Sequence, residues 1–215
     1  MAITDNGTAV RTRVKICGIT RPADARAAAE AGADAIGLVF YPKSPRYLST
    51  ERAVEIRDAL PPFVQTVALF VNPDGAQVSQ VMGRVKPSML QFHGDETPEF
   101  CGQFGVPYVK AARVRQGLDL LEYLRPFNRA AAWLLDSFVE AYGGVGERFD
   151  WSLVPRNLER PLILSGGLER GNVADAVRQL HPWGVDVSSG VESAKGIKDA
   201  AKIAAFISEV RNADV

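Results

Sequence analysis

The sequence predicts a single-domain α/β protein, a (β/α)8 TIM barrel, and three observations carry that expectation. Eight short apolar runs rich in β-branched residues alternate with stretches of helical periodicity. Strict alternation implies parallel strands joined by right-handed crossovers. The chain has 215 residues, a length that α/β barrels reach without splitting into domains. No dinucleotide-type glycine fingerprint follows the first strand, where a doubly wound open sheet would be expected to carry one.

The expected strands are RVKIC (13–17), DAIGLVF (34–40), QTVALFV (65–71), SMLQF (88–92), VPYVKAA (106–112), AAWLLD (131–136), PLILS (161–165) and GVDVS (184–188). Helical patterns lie between and after them: PADARAAAEAGA, STERAVEIRDAL, DGAQVSQVMGRV, ETPEFCGQF, LDLLEYL, ERGNVADAVRQL and IKDAAKIAAFISEV. The sixth unit offers only a weak DWSLV. Ser49 and Asp74 stand where a side-chain oxygen can accept from first-turn N–H groups and so cap the second and third helices. Residues 1–12 read as a flexible tail and 13–215 as the barrel. The opening MAITDNGTAV has neither the basic start nor the apolar core of a secretion signal. Asn6-Gly7-Thr8 therefore matches a glycosylation acceptor by chance.

Twenty-five basic and twenty-five acidic residues cancel, so no overall field draws in nucleic acid or an anionic membrane, and neither is an expected partner. No apolar run approaches transmembrane length. Two cysteines are too few for a disulfide framework, which points to a reducing cytoplasm. Monomer and homodimer both remain open.

A barrel places its active site at the carboxyl ends of the strands. Those ends carry Cys17-Gly18, Phe40 to Arg46, Asn72, His93-Gly94, Lys110 to Arg113, Asp136, Ser165-Gly166-Gly167 and Ser188-Ser189-Gly190. Side chains alternate across a strand. If Val14 and Ile16 face the helices, Lys15 and Cys17 face the barrel axis, where an ammonium needs a counter-ion. Asp186 has the matching parity on strand eight, which neighbours strand one on closure. A cysteine beside that ammonium gains thiolate character and becomes a candidate base or nucleophile. By the same parity Asp136 points inward from strand six, and His93 shares the inward face of Gln91.

The glycine-rich loops LSGGL and DVSSGVE follow strands seven and eight, the two loops that commonly form a barrel's phosphate site from backbone amides. Gly166, Gly167, Ser188, Ser189 and Gly190 are the candidate phosphate-binding residues. Arg46, in YPKSPRYLS, could hold a carboxylate with two parallel hydrogen bonds. Cys101 sits in a helical pattern and reads as a core residue, and His181 reads as structural. No histidine, cysteine or carboxylate spacing suggests a metal site.

Together VKICGIT, SPRYLS, QFHG, LLDS, GGVGERFDW, LSGGL and DVSSGVES resemble the phosphoribosylanthranilate isomerases of tryptophan biosynthesis, from about residue 13 to 211. The resemblance implies an Amadori rearrangement of a small phosphoribosyl substrate without metal or organic cofactor. It also implies Asp136 as general acid and Cys17 as general base. Arg46 would sit at the anthranilate carboxylate, the last two loops would hold the phosphate, and Lys15, His93 and Asp186 would line the substrate site. One departure stands out. The family's sixth loop usually reads GGTGK, whereas Gly143 to Arg148 here reads GGVGER, lacking a hydroxyl and displacing a cation by one residue. Other phosphate-binding barrels, such as the tryptophan synthase α-subunit or a histidine-pathway sugar isomerase, would be expected to use paired carboxylates. A non-catalytic phosphosugar-binding barrel would have no use for Cys17 and Asp136.

Overall fold

In the computed structural model, which describes residues 11–137 and 149–214, eight parallel strands close in sequence order into a barrel. They are β1 (Arg13–Cys17), β2 (Ala35–Val39), β3 (Gln65–Phe70), β4 (Met89–Phe92), β5 (Tyr108–Val114), β6 (Ala132–Ser137), β7 (Leu162–Leu164) and β8 (Gly184–Val187). Closure comes from β8 pairing with β1, with Lys15 opposite Asp186. The helices are α1 (Pro22–Ala31), α2 (Thr50–Asp58), α3 (Gly75–Val85), α4 (Pro98–Gly102), α5 (Leu120–Leu124), α6 (Val173–Leu180) and α7 (Ala200–Ala213).

Side-chain parity sorts the core into an outer and an inner layer. Val14, Ile16, Trp133 and Leu135 belong to the large outer cluster with helix residues such as Ala28, Ile203 and Phe206. Val109, Ala111, Ala132 and Leu134 form a separate inner cluster. Cys17, Val39 and Leu69 form another. Each fully buried large aliphatic side chain contributes roughly 1.5–3 kcal/mol. Two levels of the barrel are therefore apolar, and the polar residues near the axis need partners of their own.

Both expected caps are present. Ser49 accepts from Arg52 N at 3.2 Å and Asp74 accepts from Gln77 N at 2.7 Å. The sixth unit departs from the barrel pattern: its only described helical element is a single 3-10 turn, Trp151–Leu153, which Asp150 caps through Ser152 N at 2.9 Å. A second difference follows β8. The last helix does not begin at Ile197. After a 3-10 turn at Ser189–Val191, the chain makes a two-stranded antiparallel hairpin of β9 (Glu192–Ala194) and β10 (Ile197–Lys198). Gly196, at φ 77°, supplies the left-handed residue of its turn. Asp199 then caps α7 through Lys202 N at 3.0 Å.

Order in the fold begins ahead of β1. Thr12 donates from its N and Oγ1 to the Asp214 carboxylate at 2.9 and 2.6 Å, tying this end of the chain to the end of α7. Asn6-Gly7-Thr8 lies outside the described residues. No described helix is long and apolar enough to cross a membrane.

Candidate active site

The carboxyl ends of the strands surround a cavity whose empty space, counted with the open solvent at its mouth, is about 810 Å³. Cys17, Arg46, His93, Asp136, Ser165, Gly166, Gly167, Asp186, Ser188 and Ser189 line it. Sequence reasoning placed all of them at strand ends or on inward faces. Lys15 and Gly190 do not line this cavity.

Lys15 lies deeper in the barrel, where its ammonium donates to Asp186 Oδ1 at 2.8 Å. Burial opposes the Lys15 charge, but Asp186 and Cys17 outweigh it and hold the lysine's pKa above the ordinary value. The expectation that Lys15 raises the thiolate fraction of Cys17 meets two opposing effects. Burial pushes the thiol up, Asp186 adds to that, and Lys15 and Lys198 offset them only in part. In the free site Cys17 is therefore a protonated thiol at neutral pH. Gly37, opposite Cys17 on β2, makes room for it: a Cβ there would stand 2.7 Å from Sγ. Gly18 has a different role from clearing space beside the thiol. A Cβ on it would come within 2.3 Å of Arg46 Cδ, so this glycine lets the arginine stem pass over the end of β1.

Across the mouth, Asp136 Oδ2 lies 3.0 Å from His93 Nε2, and its Oδ1 accepts from Ser137 N at 2.8 Å. His93 Nδ1 in turn meets Gln91 Nε2 at 3.0 Å. With the Gln91 side-chain nitrogen facing Nδ1, Nδ1 accepts and Nε2–H donates to Asp136 Oδ2. The loop after His93 is set from outside the barrel. Glu96 accepts from Gly94 N at 3.0 Å and from Asn72 N at 2.9 Å. Lys110, with no exposed surface, donates to Glu96 Oε2 at 2.8 Å and to Gly94 O at 2.6 Å. Sequence reading placed Lys110 at a strand end. Its partner Glu96 was assigned only to a helical stretch, and nothing local marks it.

Loops seven and eight press together. Gly166 and Gly167 have φ values of 85° and 61°, consecutive left-handed conformations suited to glycine. Asn172 holds this loop by donating to Gly167 O at 2.9 Å and accepting from Glu169 N at 3.0 Å. Gly190 contributes through packing: a Cβ on it would fall 2.1 Å from Leu168 O. Ser188 Oγ donates to Cys17 O at 3.1 Å, joining loop eight to the end of β1.

Arg46 is 5% exposed and lies against the cavity wall, with both Nε and Nη2 already donating to the Glu192 carboxylate at 2.7 Å each. The paired hydrogen bonds anticipated for this residue are thus made inside the protein. The remaining terminal nitrogen, Nη1, takes no part in that pair. Among the described residues no group of histidine, cysteine and carboxylate side chains is arranged to hold a metal ion. Residues 143 to 148, with the altered loop-six sequence, lie outside the described residues.

The comparisons with known proteins agree on one family. A model of N-(5'-phosphoribosyl)anthranilate isomerase matches residues 14–209. The N-(5'-phosphoribosyl)anthranilate isomerase of Dechloromonas aromatica (strain RCB) is 56% identical over 206 residues, covering 95% of this chain and 99% of the relative. The crystal structure of the Thermotoga maritima phosphoribosyl anthranilate isomerase superposes with a TM-score of 0.87 at 43% identity, covering 94% and 99% of the two chains. A further crystal structure of such an isomerase, in complex with reduced 1-(o-carboxyphenylamino)-1-deoxyribulose 5-phosphate, gives a TM-score of 0.84 at 41% identity over 94% and 99%. By its fold, its motifs and these relatives, the chain belongs to the N-(5'-phosphoribosyl)anthranilate isomerase family.

Proposed function

We propose that this protein converts N-(5'-phosphoribosyl)anthranilate to 1-(o-carboxyphenylamino)-1-deoxyribulose 5-phosphate, with Asp136 as general acid and Cys17 as general base. The observation that carries the assignment is that one cavity presents a carboxyl group from β6 and a thiol from β1, with two glycine-rich loops between them. Asp136, entering the step as the protonated carboxylic acid, gives its proton to the ring oxygen, which breaks the C1–O bond and leaves an iminium at C1 and a carboxylate on Asp136. Cys17, having lost its thiol proton to solvent, then takes the C2 proton as a thiolate, and the electron pair of the broken C2–H bond forms the C1–C2 double bond of an enolamine while the iminium is neutralised. Tautomerisation places a hydrogen on C1 and a carbonyl at C2, so atoms and electrons balance without an external oxidant or reductant. A thiol held above its ordinary pKa is a strong base once ionised. The iminium formed in the first step is the positive charge that favours its ionisation.

His93 orients the acid, and Asp186 with Lys15 fixes the charge beneath the base. Loops seven and eight hold the phosphate through Gly166, Gly167, Ser188 and Ser189, with Gly190 setting their packing. Arg46 faces the anthranilate carboxylate. The test is the fluorescence of freshly generated phosphoribosylanthranilate, followed with wild type, Cys17→Ala and Asp136→Asn. Rapid loss with wild type and none beyond the blank with either variant is the expected result. Turnover near wild type in either variant removes its assigned role.

We also propose a homodimer. Phe63, at the opposite end of the barrel, is fully exposed and has φ 71°, an uncommon state for a bulky residue. It borders a recess lined by Val67, Met89, Val109 and Ile163, so each copy offers a projecting ring and an apolar receptor. A dimer in sedimentation that Phe63→Glu converts to monomer is expected; a monomeric wild type refutes the pairing. Cytoplasmic residence fits two free, buried cysteines.

A further inference from the structure

Behind the cavity wall lies a cluster of buried charges that the reaction itself does not use. Glu192 and Lys198, both on the β9–β10 hairpin, are 9% and 4% exposed. Glu192 accepts from Arg46 Nε and Nη2 at 2.7 Å each and from Lys198 Nζ at 2.9 Å. Lys198 Nζ also donates to Ser188 O at 3.0 Å and to Ser188 Oγ at 3.3 Å. Its backbone N–H donates to Asp24 Oδ2 at 3.1 Å, which anchors the hairpin on α1.

Charge and geometry set what this cluster can do. A guanidinium held by both oxygens of one carboxylate is fixed in plane and direction, so Glu192 decides where Arg46 Nη1 points. Arg46 and Lys198 bring two positive charges to the single negative charge of Glu192. A buried group with one uncompensated positive charge is costly to keep unless an anion completes it. Lys198 also grips Ser188, in the loop proposed to meet the phosphate. One ammonium thus spans the supports of both anionic ends of the ligand.

We infer that Glu192 and Lys198 are positioning residues that orient Arg46 and leave it one positive charge for the substrate carboxylate. The inference rests on the proposed role of Arg46. At the carboxylate end Glu192 acts through the arginine it holds, so that part of its contribution disappears once that arginine is removed.

The test is a double-mutant cycle on kcat/KM for phosphoribosylanthranilate, using Glu192→Gln, Arg46→Gln and the double variant, with thermal unfolding to establish that each is folded. Glu192→Gln alone is expected to lower kcat/KM roughly tenfold or more, the scale of one charge-assisted hydrogen bond. The change should lie mainly in KM, because proton transfer at Cys17 and Asp136 is untouched. In the Arg46→Gln background the same substitution should change kcat/KM less than about twofold. Lys198→Met, which keeps the stem length, should likewise raise KM more than it lowers kcat. Equal losses from Glu192→Gln in both backgrounds, or no loss in wild type, overturn the inference while Arg46 keeps its role. If Arg46→Gln itself leaves KM unchanged, the reading of Arg46 fails first, and with it the inference.

Discussion

Asp136 Oδ2 and His93 Nε2 stand 3.0 Å apart at the barrel mouth, and Gln91 holds the other imidazole nitrogen at 3.0 Å. The pair joins β6 to the end of β4, so the direction of the carboxyl group proposed as the acid is set by a residue on another strand. Gln91 is 1% exposed and fixes the imidazole at its far side, as second partners of functional histidines commonly do. Replacing His93 by Phe removes the hydrogen bond while keeping the ring volume. Its loss should lower kcat roughly ten- to hundredfold, the effect of one hydrogen bond to the carboxylate charge that develops as the proton leaves, and change KM less than about threefold. Steady-state kinetics checks this, with Gln91→Leu expected to show a smaller fall of the same kind. An unchanged kcat in His93→Phe would mean Asp136 needs no orientation.

The thiol across the cavity titrates in the opposite sense from the sequence expectation. Burial raises Cys17 first, and Asp186 raises it further. The thiolate proposed as base therefore accumulates with rising pH in the free enzyme, and kcat/KM should still be climbing above the ordinary thiol pKa of about 8.5. Asp186→Asn removes the second cause and leaves the Lys15 charge unpaired beside the thiol. Both changes favour the thiolate, so the rising limb of the pH profile should move to lower pH. A limb that stays in place, or moves up, contradicts the charge arrangement.

The second cysteine makes a prediction about stability alone. Cys101 is 1% exposed in the outer core, and burial raises its pKa from 9.0 to about 12, with Glu96 adding to this and Lys110 opposing it. Between those values the unfolded chain releases the thiol proton and the folded chain keeps it. Stability is therefore intact below the lower pH and falls as pH rises toward the upper one. Cys101→Ala removes this linkage, and its unfolding free energy should decline less steeply across that range than that of wild type. Urea unfolding at successive pH values measures the two slopes. Parallel slopes would show that this thiol does not contribute.

Alternation explains why so much of the barrel was legible. Period two along VKIC placed Lys15 and Cys17 on the inner face, and strand order then put Asp186 beside Lys15, where it is found at 2.8 Å. The same parity separated Trp133 from Leu134. Long-range charge pairing was not legible. Arg46 and Glu192 are 146 positions apart, and nothing local distinguishes Glu192 from a solvated carboxylate. The β9–β10 hairpin was hidden because IKDAA continues the helical pattern of α7. Asp199, a good capping residue, was the available signal that the helix begins after it. Net thiol electrostatics also lay beyond sequence reading, since the sign depends on whether Lys15 is nearer to balance with Asp186 or with Cys17.

Glycine 37 offers the sharpest separation of fold from catalysis. It lies within β2, opposite Cys17, and is absent from the glycines with positive φ, so its backbone does not require glycine. Space does. A Cβ at this position would stand 2.7 Å from Cys17 Sγ, 3.1 Å from Cys17 Cα and 3.2 Å from Lys15 Cε. The flexible ends can give way, but the backbone contact means that the thiol swings off its line. A reacting group displaced by about 1 Å can cost on the order of a hundredfold in rate, whereas one extra methyl in a packed site costs typically 1–3 kcal/mol of stability. Gly37→Ala should therefore remain folded, with the cooperative thermal transition of wild type at a lower temperature, while kcat falls by one to two orders of magnitude, roughly as the displacement argument requires. Titration of Cys17 with a thiol reagent in the Cys101→Ala background adds the deciding readout. An altered rate of modification alongside the fall in kcat places the effect at the sulfur. Unchanged kcat with only lowered stability would mean that the strand, not the thiol, absorbs the methyl group.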